Sequence, residues 1–273
     1  MDALITLFHD FGVEFGNPWQ HKIQYKTDYI NLDTTFSDTA GFEVEYHFQV
    51  ARGTDISALA NARAVVERPE LWTVSINDSL VEKEGGEYWI DVDYPIYKIG
   101  HLLKPGQNTI TLKAKRMSIF AEIMPVYILG DFIVRPRKTG FEIANGRLNA
   151  LGSWKDAGYP FYSDKVSYSQ SYNIEKGKAI FKVKLSGWNG TIAEVQVNNR
   201  KAGIIAWPPE ELDVTPLLKE GNNEISVRIV GSLKNTFGYF YEDNNKWING
   251  PHDWNRAPEN QPGMDEYYLM DYG

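Results

Sequence analysis

Aromatic and amide residues crowd into one stretch of the sequence, "GSLKNTFGYFYEDNNKWINGPHDWNR", from Gly231 to Arg256. The stretch has too many glycines and amides for a helix and no steady alternation for a strand, so it predicts a long loop. Flat aromatic rings can contact the apolar C–H face of a pyranose, while amides and carboxylates hydrogen-bond its hydroxyl groups. The chemistry that this composition favours is sugar binding.

The candidate sugar contacts are aromatic residues in turn-rich surroundings. They are Trp188, Trp207, Tyr239, Tyr241, Trp247 and Trp254. For these residues the sequence leaves ligand contact and packing equally open. Aromatic residues in or beside predicted strands, such as Trp72 and Trp154, are instead predicted to pack in a core.

Acidic residues suggest two further kinds of site. The segment "DVD", Asp91 to Asp93, could supply oxygen ligands to a structural calcium ion, although an ordinary solvated loop is the favoured explanation. A glycosidase needs two carboxyl groups about 5–10 Å apart. Because the chain has 36 Asp and Glu, a chance pair is expected, and we predict no catalytic residue, Glu67 and Glu122 included.

Composition excludes several other classes of function. The chain has 273 residues and no cysteine, which excludes disulfides, thiolate metal sites and thiol nucleophiles. A net charge of -8 leaves no broad basic face for nucleic acid. Neither a G-x-S-x-G motif nor a P-loop sequence occurs, and no apolar run approaches the ~18 residues of a membrane helix. The sequence therefore carries no sign of a nucleotide, thiol or membrane function.

An internal repeat organises the chain. The segment "WTVSINDSLVE … YPIYKIGHLLKPGQNTITLKA" matches "AEVQVNNRKAG … PPEELDVTPLLKEGNNEISVRIV". In each copy a strand runs into a turn pair, Asn77-Asp78 or Asn198-Asn199, which tolerates positive φ. A Leu-Leu-Lys segment, a glycine, an asparagine and a second strand follow, and the first copy has a longer hairpin between these parts.

Short alternating strands such as "GFEVEYHFQV" predict an all-β chain of two tandem antiparallel β-sandwich domains of the jelly-roll type. We place the first sandwich at residues 1–138, the second at 139–243, and a loop-rich tail that packs on them at 244–273. The turn-rich segment Arg135 to Gly140 is the predicted hinge. A single short helix is predicted near Asp55 to Arg63, with Thr54 as its N-cap.

Four segments carry a resemblance to a known family: "WKDAGYPFYSDKVSYSQSY", "VQVNNRKAGIIAWPP", "LDVTPLLKEGNNEISVRIV" and "GSLKNTFG". They resemble the galactose-binding-like β-sandwiches in the C-terminal region of multidomain bacterial enzymes of glycoside hydrolase family 106, the α-L-rhamnosidases. A looser resemblance is to family 2 sugar-binding domains. The resemblance covers about Phe42 to Gly273. It implies that the catalytic acids lie in an upstream barrel domain of a parent enzyme, which would be secreted or periplasmic.

These observations lead to the hypothesis of a non-catalytic carbohydrate-binding module of a glycoside hydrolase. Its expected partners are a plant or pectic-type polysaccharide and the catalytic domain of the parent enzyme. We expect no cofactor other than the calcium ion considered above. Two alternatives stay open. One is a purely structural pair of domains that supports an absent catalytic barrel, and the other is a stand-alone glycosidase or lyase with an acid pair in a deep cleft.

Overall fold

The computed structural model describes residues 2–13, 31–121, 123–138, 140–147, 151–175, 177, 179–237 and 269–273. These residues fall into two compact units, the first ending at Arg147 and the second comprising the described residues from Leu151 onwards. Strands dominate both units, and all but one of the named strand pairs in the described ranges are antiparallel. The prediction of an all-β fold is confirmed.

Nine strands are found among the described residues of the first unit. They are β1 Phe42–Val50, β2 Arg63–Val65, β3 Thr73–Ile76, β4 Ser79–Val81, β5 Ile96–Lys98, β6 Gly106–Ala114, β7 Tyr127–Leu129, β8 Ile133–Pro136 and β9 Phe141–Ala144. One sheet has the order β4-β3-β6-β1-β9-β8, and the second has the order β5-β2-β7. Inward side chains of both sheets, including Val74, Ile110, Ala64 and Tyr97, share one core.

The second unit has the same kind of construction. Its strands are β10 Lys165–Ile174, β11 Lys182–Lys184, β12 Ile192–Val197, β13 Arg200–Ile205, β14 Glu211–Asp213 and β15 Gly221–Val230. One sheet has the order β10-β15-β12-β13, and β11 pairs with β14. Trp154, which is 1% exposed, packs in the core with Val195 and Ile229, as predicted for this tryptophan.

The repeat in the sequence is a repeat in the fold. The order β4-β3-β6-β1 in the first unit corresponds to β13-β12-β15-β10 in the second, with each strand pair antiparallel. Both predicted turn pairs are left-handed, with φ of 47° and 67° at Asn77 and Asp78 and of 50° and 61° at Asn198 and Asn199. Two successive left-handed residues match the twist of the flanking strands, so each hairpin closes tightly.

Each copy is closed by a pair of asparagines that we call the asparagine clasp, Asn77 with Asn108 in the first unit. The buried Asn108 accepts hydrogen bonds from Asn77 Nδ2 at 2.9 Å and from the Lys104 N–H at 3.0 Å. Its own amide donates to the carbonyls of Lys104 at 2.7 Å and Gly106 at 3.1 Å. One side chain therefore ties the hairpin turn to the start of β6.

The clasp of the second unit, Asn198 with Asn223, repeats this pattern. Asn223 is fully buried and accepts from Asn198 Nδ2 and from the Lys219 N–H, both at 2.9 Å. It donates to the carbonyls of Lys219 at 2.8 Å and Gly221 at 2.9 Å. In each unit the buried amide donates two hydrogen bonds and accepts two, with the same partners in the repeat. The repeated Asn residues therefore have a structural role.

Helices are short in the described residues, and none is long and apolar enough to cross a membrane. Within the described ranges, four 3₁₀ helices lie at Ile56–Leu59, Pro69–Leu71, Gly100–Leu102 and Thr215–Leu217. The first begins where a helix was predicted, but its N-cap is Asp55, whose carboxylate accepts from the Ser57 N–H at 3.0 Å. The prediction of Thr54 as the cap was wrong, because Thr54 is buried and its hydroxyl makes no such bond.

Helix α1, Asp2–Asp10, was not predicted from the sequence. The fully buried Phe8 packs it against Met117 and Ala121 in a separate apolar cluster of the first unit. Gly12 follows with φ of 79°, the left-handed conformation that ends many helices. A second short helix, α2, spans Lys234–Phe237.

The segment that follows β8 belongs to the first sheet. Residues 141–144, assigned above to the second sandwich, form β9, which pairs with β8 and runs parallel to β1 in the first sheet. The first unit ends at Arg147. The reason is a long-range strand pairing, which brings Ile143 beside Val50 and which local composition does not reveal.

Candidate functional site

The structure describes two of the predicted aromatic contacts. Tyr239, Tyr241, Trp247 and Trp254 lie outside the described residues. Trp188 and Trp207 both belong to the second unit and have very different surroundings. Their role in binding stays a prediction.

Trp188 lies in the loop between β11 and β12 and packs, half-buried, against the core of the second unit. Its indole Nε1 is buried and has no hydrogen-bond partner among the described residues. A buried indole N–H usually has an acceptor. Trp188 therefore contributes its ring to packing and retains one unused donor.

Trp207 is 76% exposed on the turn between β13 and β14. The turn is held at both ends, because Ile205 is buried before it and the Glu210 carbonyl accepts from the Leu185 N–H at 3.0 Å after it. Pro208 and Pro209 follow Trp207, and their rings restrict the backbone φ. The result is a large aromatic side chain presented to solvent by a constrained backbone.

The predicted calcium ligands Asp91 and Asp93 are exposed in the long hairpin of the first unit. The Asp93 N–H donates to Asp91 Oδ1 at 3.1 Å, which closes a local turn. Across the described part of the chain, no three His, Asp or Glu residues are grouped as metal ligands would be. Calcium binding at Asp91 and Asp93 stays a prediction.

A second feature, which the sequence analysis did not identify as a site, is a small recess in the first unit. We call it the Glu67 recess; its lining consists of Glu67, Arg68, Leu71, Trp72 and Met124. It encloses about 10 Å³, which is close to the room that one water-sized group needs. Most of its lining comes from the connection between β2 and β3.

The backbone of this connection has an unusual conformation at Arg68, with φ of 53° and ψ of 64°. This left-handed region is uncommon for residues other than glycine, and strained residues of this kind cluster at functional sites. Pro69 then begins the short helix, and the Arg68 N–H donates to the Asp93 carbonyl at 3.2 Å. The conformation turns the chain sharply between Glu67 and Trp72.

Electrostatics distinguish Glu67 from the other acids of the described chain. Burial raises the pKa of its carboxyl group, and the Arg68 charge and a hydrogen bond from the Tyr94 hydroxyl partly oppose that rise. Burial, followed by the Glu67 charge, raises the pKa of Tyr94 to about 12, so this hydroxyl stays a donor. Glu67 Oε2 is buried and has no hydrogen-bond partner among the described residues.

Three residues that line the Glu67 recess also make contacts outside its lining. The Trp72 ring meets the Phe42 ring edge-to-face, with 5.5 Å between centroids. The Tyr46 hydroxyl donates to the Met124 carbonyl at 2.6 Å. The Arg68 guanidinium lies 5.5 Å from the centre of the Phe120 ring, within cation–π range. The lining of the recess thus includes one acidic, one basic and three apolar side chains.

The sequence predicts no catalytic role for Glu67 and predicts that Trp72 packs in a core. The available signal was the polar pair Glu67-Arg68, inserted between the apolar "AVV" and the strand that begins at Thr73. Glu122, the other acid named above, lies outside the described residues.

Comparisons with known proteins give limited similarity. No family model matches the sequence. A segment of 117 residues, 41% of this chain, is 28% identical to 10% of a protein of Formosa agariphila named "Putative beta-glucuronidase". Among solved structures, a rhamnosidase from Novosphingobium sp. PP1Y matches with 15% identity and a TM-score of 0.29, over 72% of this chain and 18% of that one.

An α-L-rhamnosidase from Streptomyces avermitilis, solved with L-rhamnose, matches with 12% identity and a TM-score of 0.28, over 71% of this chain and 22% of that one. This chain thus spans at most about a fifth of the length of any of these proteins. All three are named as glycoside hydrolases, and none is matched closely enough to assign this chain to a family.

Proposed function

We propose that this chain is a non-catalytic, carbohydrate-binding module of a glycoside hydrolase, and that it binds plant or pectic-type polysaccharide by aromatic stacking on its second unit. The observation that carries the proposal is the exposure of Trp207, 76% open to solvent on a constrained turn. The sequence similarity to a protein named as a β-glucuronidase supplies the context of glycoside cleavage.

Burial of the exposed Trp207 ring against a sugar would favour binding. Stacking on the C–H face of a pyranose removes apolar surface from water, and this burial is favourable by roughly 25 cal/mol per Å². The backbone at Trp207 is already constrained by the prolines and by the neighbouring hydrogen bond, so binding loses little backbone entropy. A tryptophan presented in this way is suited to a flat ligand.

The parent enzyme is part of the proposal. The similar segment of the Formosa agariphila protein covers 10% of that protein, so most of its length lies outside the match. We infer that the bond-cleaving residues belong to another domain of the parent, which this module would hold near its polysaccharide.

The proposal is tested by affinity gel electrophoresis of the full chain in gels containing pectic polysaccharide, xylan or galactan. We expect at least one polysaccharide to retard the wild type, and Trp207→Ala to weaken its binding about tenfold or more, a loss of about 1.4 kcal/mol or more. Trp207→Phe should retain part of the affinity, because it keeps an aromatic face.

Ile204→Ala is the matched control, since Ile204 is also an exposed apolar residue of the same region, at 45% exposure. Its affinity should equal that of the wild type. Because Trp207 contacts mainly solvent, Trp207→Ala should shift the melting temperature by less than about 2 °C. Absence of retardation for the wild type, or equal retardation of wild type and Trp207→Ala, would contradict the proposal.

A further inference from the structure

The sheet of the second unit has an edge at β10. Within the described residues, β10 is the outermost strand of its sheet and pairs only with β15. In the first unit the corresponding strand, β1, has neighbours on both sides, because β9 runs parallel to it at Gln49 and Val50. An edge that is covered in one copy of the repeat is therefore uncovered by described residues in the other.

Backbone groups of alternate residues point to this edge. The Asp164 carbonyl accepts the Gly231 N–H at 2.9 Å, and the pairing of β10 with β15 continues from there in one unbroken register. Because backbone groups alternate in direction along an antiparallel strand, every second residue points away from β15. These residues are Lys165, Ser167, Ser169, Ser171 and Asn173. Apart from the Lys165 carbonyl, which accepts from the Tyr162 hydroxyl at 3.1 Å, their backbone groups have no partner strand in the described chain.

Strand β10 lacks the features by which edge strands avoid pairing, which are prolines, bulges and repeated charges. Its sequence, "KVSYSQSYNI", has no proline and one charged residue, Lys165 at the first position. Residues 169–173 are all exposed, and Tyr172 is 42% exposed although it lies on the same face of the strand as the packed Tyr168. A long, regular edge of this kind can accept another strand.

The charges of β10 are complementary to those of a second, antiparallel β10. Backbone groups and side-chain faces match only if a symmetric pair is centred on a residue rather than between residues. Centring the pair on Gln170 places Lys165 opposite the exposed Glu175, which directly follows the strand, in both directions. A shift of the centre by one residue would place Lys165 opposite the uncharged Asn173 or Gly177. Charge therefore favours the register centred on Gln170.

The same register matches the core-facing side of the strand. Tyr168 lies opposite Tyr172 of the second copy, and Val166 lies opposite Ile174. Aromatic and apolar cross-strand pairs of this kind stabilise antiparallel sheets, and the pairing would cover the exposed Tyr172 ring.

We propose that β10 pairs in the antiparallel direction with β10 of a second copy of this chain, about a two-fold axis at Gln170. The two four-stranded sheets then form one continuous sheet, and the backbone groups at the two edges bond to each other. The inference goes beyond the proposed function and does not depend on it, since Trp207 follows β13 at the opposite edge of the sheet.

The test is sedimentation velocity of the full chain over a range of protein concentrations. The mass of the wild type should rise from 31.2 kDa to twice that value as the concentration increases. Lys165→Glu and Glu175→Lys should each raise the dissociation constant about tenfold or more, because a symmetric dimer has two such pairs and both change from attraction to repulsion. The double variant restores opposite charges and should dimerise about as well as the wild type.

Lys201→Glu is the matched control: it reverses an exposed charge on β13, at the other edge of the same sheet, and should leave the dissociation constant unchanged. Gln170→Lys is a further variant at an exposed position. It places two like charges directly opposite each other on the two-fold axis and should also raise the dissociation constant about tenfold or more. Thermal denaturation shows whether each variant is folded.

Recovery of the dimer in the double variant would support the pairing, because a change that merely disturbed the monomer would not be reversed by a second one. A wild type that stays at 31.2 kDa at every concentration would refute it. A dimer that neither single charge reversal weakens, or that the double variant does not recover, would show that the copies associate through another surface.

Discussion

The hydrogen bonds of the asparagine clasp predict how far Asn223→Asp lowers the free energy of unfolding. The substitution changes almost no volume, and the two hydrogen bonds that Asn223 Oδ1 accepts can persist. The two that its amide donates, to the carbonyls of Lys219 at 2.8 Å and Gly221 at 2.9 Å, are lost because a carboxylate has no donor. The perturbation therefore removes two donated bonds from a fully buried position.

The expected magnitude follows from the two carbonyls. Each lost hydrogen bond costs roughly 0.5–1.5 kcal/mol, and the charge of the new carboxylate is desolvated at a fully buried position, so we expect the free energy of unfolding to fall by about 2–4 kcal/mol. Asn108→Asp should cost a similar amount in the first unit, because its four hydrogen bonds repeat those of Asn223.

The measurement is urea denaturation followed by tryptophan fluorescence, in which the buried Trp154 reports on the second unit. Asn222→Asp is the control: it makes the same chemical change one residue earlier on β15, at an exposed position, and should alter stability by no more than about 0.5 kcal/mol. If Asn223→Asp is as mild as Asn222→Asp, the amide donors do not stabilise the fold and the reasoning is refuted.

Two further predictions concern stability. Because burial raises the folded-state pKa of Glu67, the folded chain binds a proton at this carboxyl group more tightly than the unfolded chain does. The free energy of unfolding therefore falls as the pH rises from the unfolded-state pKa to the folded-state pKa. Glu67→Gln should therefore melt at a higher temperature than the wild type at about pH 7, with the difference shrinking at about pH 4; a constant difference would mean that Glu67 ionisation is not involved. Gly100→Ala would place Cβ 2.3 Å from the Leu59 carbonyl oxygen and 2.4 Å from that of Ala60, so it should lower stability by about 1–3 kcal/mol or more in urea denaturation. The control Gly53→Ala meets nothing within 4 Å, and equal stability of the two variants would contradict the packing argument.

Several features of the fold could be predicted from sequence because they depend on neighbouring residues. Alternation in "GFEVEYHFQV" predicts a half-buried strand, and β1 shows it from Phe42 to Val50. The Asn-Asp and Asn-Asn pairs predict left-handed hairpin turns, since these side chains tolerate positive φ, and both turns are present. The two copies of the repeat are visible in sequence because both retain the same local turn and strand signals.

Other features depend on contacts between distant residues and were decided by the tertiary structure. The boundary after Arg147 depends on the pairing of β9 with β1, and α1 depends on the contact of Phe8 with Met117. Thr54 and Asp55 are both good N-cap residue types, and the choice between them depended on the local backbone.

The candidate sites show the same division. Composition identified Trp207 as an aromatic residue in a turn, but only the folded chain determined that it is exposed while Trp188 packs against a core. The Glu67 recess requires three segments, the β2–β3 connection, the long hairpin and the region of Met124, to meet in space. A sequence specifies which donors, acceptors and rings are available. Desolvation arises only when those segments pack together. It is the packed structure that raises the pKa of Glu67 and leaves its Oε2 without a partner among the described residues.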